Sequence, residues 1–340
     1  MNHYPAVKAL TSATIESAQQ SVHALNKALN QRFHGDEIKI VAWMSDIHMH
    51  SDKGYDHSID CYDAEVDTRR QFALALHEVQ ALNPVPELLV LGGDLTDYGR
   101  PDEFQAFDSI LRAGNRSIPT IPLFGNHDNT HPPIRPDVLA LWPSLRHEDW
   151  PDIHDPNELY FSVEKAGLKF IVLDTQQDSS YRMPERQKQW LMQELTQRDG
   201  NIVILCHRHQ LPVGNWVDEA SMFRDKEVWE MIDSSPKVIG IFSGHVHMAR
   251  LWQYRRKLYG TFPAVAYGIG DRTGWGGIVI KGDRIAAVFS KDLYGESFEM
   301  FTGMHEQEGH FRFLEAEWIQ NHVLFNPCYW PWESDSNKRD

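Results

Sequence analysis

Five short segments of the chain carry residue types suited to holding metal ions: Asp46-Ile47-His48, Gly93-Asp94-Leu95-Thr96-Asp97, Gly125-Asn126-His127-Asp128, His207-Arg208-His209 and Gly244-His245-Val246-His247. Carboxylate, imidazole and amide oxygen in combination suit Mn, Fe, Zn or Co better than Mg or Ca, which favour oxygen alone. One carboxylate can bridge two cations about 3.5–4 Å apart, an arrangement that generates hydroxide near neutral pH and polarises phosphoryl oxygens. Taken singly, each segment has a bland reading. An Asp or His after a strand usually caps a turn or helix, and Asn-His-Asp tolerates unusual backbone angles. His-x-His is as often a pair of surface histidines. Five such segments in one chain are hard to explain as caps.

Each of the five follows a short apolar run: IKIVAWM (38–44), ELLVL (87–91), IPTIPLF (118–124), IVILC (202–206) and VIGIFS (238–243), with LKFIVLD (168–174) a sixth run of the same kind. Nearly continuous, β-branched runs suit strands covered on both faces. Helical periodicity lies between them at 63–82, 101–113 (opened by Pro101), 184–198 and 218–233. Strand–helix alternation implies an α/β fold. In such sheets ligands bind beyond the carboxyl ends of the strands, so the five segments are predicted to converge. After 255 the pattern changes to strands without clear helices (TFPAVAYGIG, WGGIVI, RIAAVFS), read as a second sheet of the same domain. Ile15, Ala18, Val22, Leu25, Leu29 and Phe33 predict one helix over 12–34, ended by Gly35 and packed on the domain; a dimer contact is the alternative. The division expected is a helical extension (1–36), one catalytic domain (37–325) and a Trp- and Pro-rich tail (326–340) ending in disorder.

Composition narrows the function. The 340 residues are 41% hydrophobic and 24% charged, the profile of a soluble globular protein. Lys and Arg number 33 against 48 Asp and Glu, a formal net charge of −15, which argues against nucleic acid or a membrane surface as partner. No stretch approaches the roughly 18 apolar residues of a membrane span. The first residues lack the basic-then-apolar pattern of a secretory signal. Cys61, Cys206 and Cys328 are widely spaced and unpaired in pattern, fitting a reducing compartment, so a cytoplasmic location is expected. A homo-oligomer is left open. Cys206, at the end of an apolar run, reads as packing.

The ordered series Asp-x-His, Gly-Asp-x-x-Asp, Gly-Asn-His-Asp, His, Gly-His-x-His resembles the calcineurin-like metallophosphoesterase superfamily over residues 38–250. GGDLTDYGRPDEFQAF and ELYFSVEKAGLKFIVLDT are similar to its branch of class III cyclic nucleotide and glycerophosphodiester phosphodiesterases. The resemblance implies a four-layered αββα sandwich carrying the N-terminal helical extension. It implies two divalent transition-metal ions, Mn or Fe first and Zn or Co next. Metal one would be held by Asp46, His48, Asp94 and His247, and metal two by Asp94, Asn126, His207 and His245, with Asp94 bridging. His127 takes the place of the family's catalytic histidine and Asp97 that of its orienting carboxylate, while Asn126 and His127 would also meet the phosphoryl oxygens.

One departure bears on the ligands. Many members have His-His-Pro-Pro where this chain has His207-Arg208-His209-Gln210. His207 is taken as the ligand because it directly follows the strand; His209 is the alternative ligand or a phosphate contact. Arg208 is either a phosphate clamp or a surface arginine. The insert 49–65, with His50, Asp52, Asp56 and His57, reads as a solvated loop in preference to a third metal site. Tyr329, Trp330 and Trp332 are expected to fold back on the core, with the lining of a substrate pocket the alternative. The implied activity is metal-dependent phosphoester hydrolysis of small phosphodiesters. Phosphomonoesterase, nucleotide-sugar pyrophosphatase and a non-catalytic metal-binding scaffold are the alternatives.

Overall fold

The computed structural model describes residues 12–50, 67–115, 117–129, 159–176, 182–196, 200–210, 223, 225–254, 256–266, 272–293 and 295–302. Its helices are α1 (Ser12–Ser21), α2 (His23–Arg32), α3 (Thr68–Gln80), α4 (Pro101–Gly114), α5 (Glu185–Thr196) and α6 (Lys226–Ser234). Its strands are β1 (Ile38–Met44), β2 (Leu88–Gly92), β3 (Thr120–Leu123), β4 (Phe161–Lys165), β5 (Leu168–Val172), β6 (Ile202–Cys206), β7 (Val238–Ser243), β8 (Arg250–Tyr254), β9 (Lys257–Thr261), β10 (Gly274–Lys281), β11 (Arg284–Asp292) and β12 (Phe298–Thr302). They form two mixed six-stranded sheets, ordered β12-β11-β10-β1-β2-β3 and β4-β5-β6-β7-β9-β8. The parallel stretches are β1-β2-β3, at one end of the first sheet, and β5-β6-β7-β9, inside the second; the remaining pairings are antiparallel.

Alternation along the second sheet shows why its runs are apolar throughout. Phe170 and Val172 of β5, Val203 and Leu205 of β6 and Phe242 of β7 point into the core shared with the first sheet. Their neighbours Ile171, Ile202, Ile204, Cys206 and Ile241 face the opposite way, under Leu191 and Leu195 of α5 and Val228, Trp229 and Ile232 of α6. A strand covered on both faces has no polar side to display. Phe72 of α3 and Phe104 and Phe107 of α4 share one core with the strands of the first sheet, and α1 lies against α3. The molecule is thus an α/β sandwich of two sheets with flanking helices.

Three expectations change. The N-terminal helix is interrupted at Val22, a β-branched residue of modest helix propensity, yet its stripe from Ala18 to Phe33 stays buried. The strands after 255 do not make a sheet of their own. β9 extends the second sheet beside β7, whereas β10 pairs antiparallel with β1 and brings β11 and β12 into the first. Gly276 and Gly277 of β10 permit this, because side chains there would collide with the rings of Phe262 and Phe289. Beyond Thr261 the chain leaves the strand, and the amides of Val265 and Ala266 donate to the carbonyls of Ser45 (2.9 Å) and Asp46 (3.1 Å). The tail 326–340, with most of the 49–65 insert, lies outside the described residues.

A buried polar cluster ties the layers together. Glu78 of α3 and Lys291 of β11 pair at 3.0 Å, and the Glu78 carboxylate accepts from Trp275 Nε1 of β10 (2.6 Å) and Ser21 Oγ of α1 (2.7 Å). No helix among the described residues is long and apolar enough to cross a membrane.

Candidate metal centre

The loops after β1, β2, β3, β6 and β7 meet at one edge of the sandwich. Asp46, His48, Asp94 and His247 place one ligand atom each within 4.8 Å of one another, and so do Asp94, His207 and His245. Asp94 belongs to both groups. Its Oδ1 accepts the His127 amide at 2.8 Å, which turns Oδ2 toward His207 Nε2 (3.2 Å) and His48 Nε2 (3.9 Å). One carboxylate oxygen therefore stands between the two sets.

The local backbone is unusual. Asp46, His48, Asp94, His245 and His247 all have φ between 45° and 73°, and the other described non-glycine residues with positive φ, Ala166 and Arg256, sit at hairpin turns. Left-handed backbone costs of order 1–3 kcal/mol per non-glycine residue and persists only where surroundings impose it. Gly125 serves close approach: a Cβ there would strike the Asp94 carboxylate and amide. Asp128 fixes the two loops to each other. Its carboxylate accepts from the amides of Leu95 (3.1 Å), Thr96 (2.8 Å) and Gly125 (2.9 Å) and from Thr96 Oγ1 (2.8 Å).

The donor atoms fit cations. His48 gives Nδ1–H to Asp97 Oδ1 at 3.1 Å, so its Nε2 carries a lone pair that faces His247 Nε2 at 3.2 Å. His207 Nδ1–H donates to the Gly92 carbonyl at 2.8 Å, again leaving Nε2 for the site. Asn126 Oδ1, His207 Nε2 and His245 Nδ1 are buried without a hydrogen-bond partner. Orphaned polar atoms in such a setting are costly unless an ion or ligand satisfies them. Ionisation points the same way. Burial opposes charge on Asp46 and Asp94, but His247 and His207 outweigh it and hold both carboxyls below their ordinary value. Burial also works against a cationic His207, yet Asp94 and then Asp46 raise it to about 9. The pocket is anionic and draws positive charge. His48 is lowered to about 4, first by burial and then by His127, and His245 is lowered by burial, His207 and Arg208.

Several sequence expectations meet different geometry. His127 does not lean on the Asp97 carboxylate: its Nδ1 bonds the Asp97 carbonyl at 2.8 Å, with the carboxylate at 3.6 Å. That carboxylate instead serves His48 and lies 3.4 Å from His50 Nδ1. Arg208 is buried and not a surface arginine; Nε donates to Gln176 Oε1 (3.2 Å) and Nη1 lies 3.4 Å from His245 Nε2. His209 is also buried, its ring 6.0 Å from that of His245, and it falls outside both ligand groups. Cys206 is buried, which raises its thiol to about 12. Residues not singled out from sequence are Asp128, whose motif was visible, and Thr175 and Gln176, which follow β5 as the other polar pairs follow their strands.

A family model for calcineurin-like phosphoesterases matches residues 40–249, which span every one of these loops. The chain belongs to that family. This metallophosphoesterase is 24% identical over 232 residues to the glycerophosphodiester phosphodiesterase GpdQ of Enterobacter lignolyticus, covering 67% of this chain and 78% of that one. It is 26% identical over 207 residues to the 3′,5′-cyclic-nucleotide phosphodiesterase alr5338 of Nostoc, covering 59% and 71%. Its fold is similar to that of a dimetal phosphatase from Danio rerio, with a TM-score of 0.59 at 14% identity over 78% of this chain and 98% of the other.

Proposed function

We propose that this metallophosphoesterase uses two metal ions to hydrolyse small phosphodiesters of the cyclic-nucleotide or glycerophosphodiester type. The observation that carries the reading is Asp94 Oδ2, placed between two sets of nitrogen and oxygen donors that meet only at that carboxylate. Asp46, His48, Asp94 and His247 would hold one ion and Asp94, Asn126, His207 and His245 the other. The mixed donor set favours Mn or Fe, with Zn or Co next. The substrate class rests on the names borne by the relatives. The acidic charge of −15 disfavours a nuclease, and the full set of seven candidate ligands disfavours a non-catalytic scaffold. Cysteine usage supports a cytoplasmic location.

When bound, the ions supply hydroxide near neutral pH and offset charge on the phosphoryl oxygens. The chain's own residues do the rest. The Asp94 carboxylate, fixed by the His127 amide, sets the separation of the two donor sets. Asp97 selects the His48 tautomer through Nδ1, as outer partners of ligating histidines generally do. His127 gives Nδ1–H to the Asp97 carbonyl, which leaves Nε2 on the substrate side. Burial opposes its protonation, but Asp94, the Asp97 carbonyl and carboxylate and Asp128 raise its pKa. The imidazolium is thus held ready to protonate the departing alkoxide. Arg208, fixed by Gln176, supplies a cation beside His245 for a phosphate oxygen, and His209 lines the same side.

The test is a panel on metal-reconstituted protein: cyclic AMP, a glycerophosphodiester, a bis-aryl diester, an aryl monoester and a nucleotide sugar. Diesters should give the highest kcat/KM. A monoester or nucleotide sugar at the head of the ranking would replace the diesterase reading with phosphomonoesterase or pyrophosphatase. No turnover of any of the five with both metals bound would favour the scaffold.

A further inference from the structure

Asp97 is almost fully buried, and its two carboxylate oxygens face two different imidazoles. Oδ1 accepts from His48 Nδ1 at 3.1 Å, while Oδ2 has His50 Nδ1 3.4 Å away. The main chain holds this arrangement in place. Met49 bridges to Thr96, its amide donates to the Leu95 carbonyl (3.1 Å), and its carbonyl accepts from the Asp97 amide (3.2 Å). Arg69 of α3 donates to the His50 carbonyl at 3.0 Å. His50 is therefore fixed from both sides, and its ring, partly open to solvent, closes the exposed flank of a carboxylate whose other flank orients a metal ligand.

We propose that His50 is a positioning residue for metal one, acting through Asp97 on His48. This rests on the metal-one ligands assigned above. A buried carboxylate held at one oxygen alone can rotate about χ2, and its aim at His48 loosens. An imidazole against the second oxygen removes that freedom and excludes water. Outer-shell partners of ligating histidines are typically worth about 10–100-fold in metal affinity. His50 stands one contact further out, so about tenfold, the lower end of that range, is expected. A histidine two residues beyond the Asp-x-His pair would thus make the start of the 49–65 segment part of the metal centre's support.

The experiment is Mn²⁺ and Co²⁺ titration of the full-length metal-free protein by calorimetry, with the Co²⁺ absorption spectrum as a second readout. His207→Ala, which removes a metal-two imidazole, isolates metal one. In that background His50→Ala should weaken the remaining site about tenfold and shift its Co²⁺ bands, while His50→Gln, which keeps an N–H donor, restores most of the affinity. In the otherwise unaltered chain His50→Ala should leave metal-two affinity within error. Unchanged or tighter metal-one binding in His50→Ala, or equal loss at both sites, would overturn the proposal. Failure of the underlying reading looks different: the unaltered chain would then bind fewer than two ions whatever stands at position 50. His50 is a partly exposed loop residue, so thermal melting of the variants should match the parent and separate lost positioning from lost folding.

Discussion

Replacing His127 with alanine separates proton donation from charge stabilisation. The ring gives Nδ1–H to the Asp97 carbonyl at 2.8 Å and packs edge-on against His48, and its side chain is 20% exposed, so its loss leaves no large cavity. The Asp94 carboxylate accepts from the His127 main-chain amide, not the ring, so the proposed bridging carboxylate keeps its anchor in the variant. Both ions should remain bound. The loss should then be the general-acid contribution, about 10²–10⁴-fold or roughly 3–5 kcal/mol, and it should depend on the leaving group. An alkyl phosphodiester, whose alkoxide leaves poorly, should lose the whole factor; a nitrophenyl diester should lose little. Asp97→Asn distinguishes the two functions of residue 97. Its carbonyl still holds His127 and only the carboxylate charge is lost, so the leaving-group dependence should shift far less than in His127→Ala, while metal-one affinity falls about 10–100-fold through His48. The assay is kcat/KM on both esters with metal content measured in parallel. Equal losses on the two esters in His127→Ala would refute proton donation, and an alkyl-selective loss in Asp97→Asn as large as that in His127→Ala would restore the carboxylate as the ring's partner.

Other outcomes follow from the same geometry. His207→Ala should lose metal two and nearly all activity while His209→Ala keeps both ions, as read by elemental analysis; metal loss that follows His209 would reverse the assignment. Lys291→Met should cost about 3–5 kcal/mol in chemical denaturation by stranding the buried Glu78, and adding Glu78→Gln should recover most of it; equal stability of the single and double variants would contradict this. Burial, then the charge of Asp97, raises Glu103 to about 7 against the two amide bonds it accepts from Tyr98 and Arg100. The folded state therefore binds this proton more tightly than the unfolded chain, and the Glu103 contribution to stability falls as pH rises from about 4.5 to about 7. Glu103→Gln should gain on the parent by up to about 3 kcal/mol between pH 5 and pH 8, and a pH-independent difference in denaturation midpoints would exclude it.

Much of the candidate site was legible because the residues brought together there sit where strands end, and strand ends are marked locally by an apolar run meeting Gly, Asp, Asn or His. The pairing of β10 with β1 was not legible: register between residues some 240 positions apart depends on Phe262 and Phe289 fitting over Gly276 and Gly277, which no local window contains. The partner of His127 escaped for a similar reason. A carboxylate three residues after Asp94 suggested side-chain contact, but the turn that puts Asp97 Oδ1 on His48 leaves only its carbonyl for His127. Arg208 read as an even choice between surface and site because its burial depends on Gln176, delivered by a different strand.

The left-handed backbone at Asp46, His48, Asp94, His245 and His247 bears on how this protein could be altered, or could drift, once its chemistry is not needed. In ordinary helix or strand, glycine is less stabilising than alanine by roughly 0.5–1 kcal/mol; at φ near +50° the order inverts, because only a side chain meets the steric penalty. At these five candidate ligands, then, truncation to glycine should leave a metal-free protein with a higher melting temperature than truncation to alanine. Relief at several of them would sum to an amount comparable with the net stability of a domain. A lineage released from catalysis would find its easiest gains in robustness at the very residues proposed to hold the metals, and would arrive at a sturdier sandwich with an altered rim.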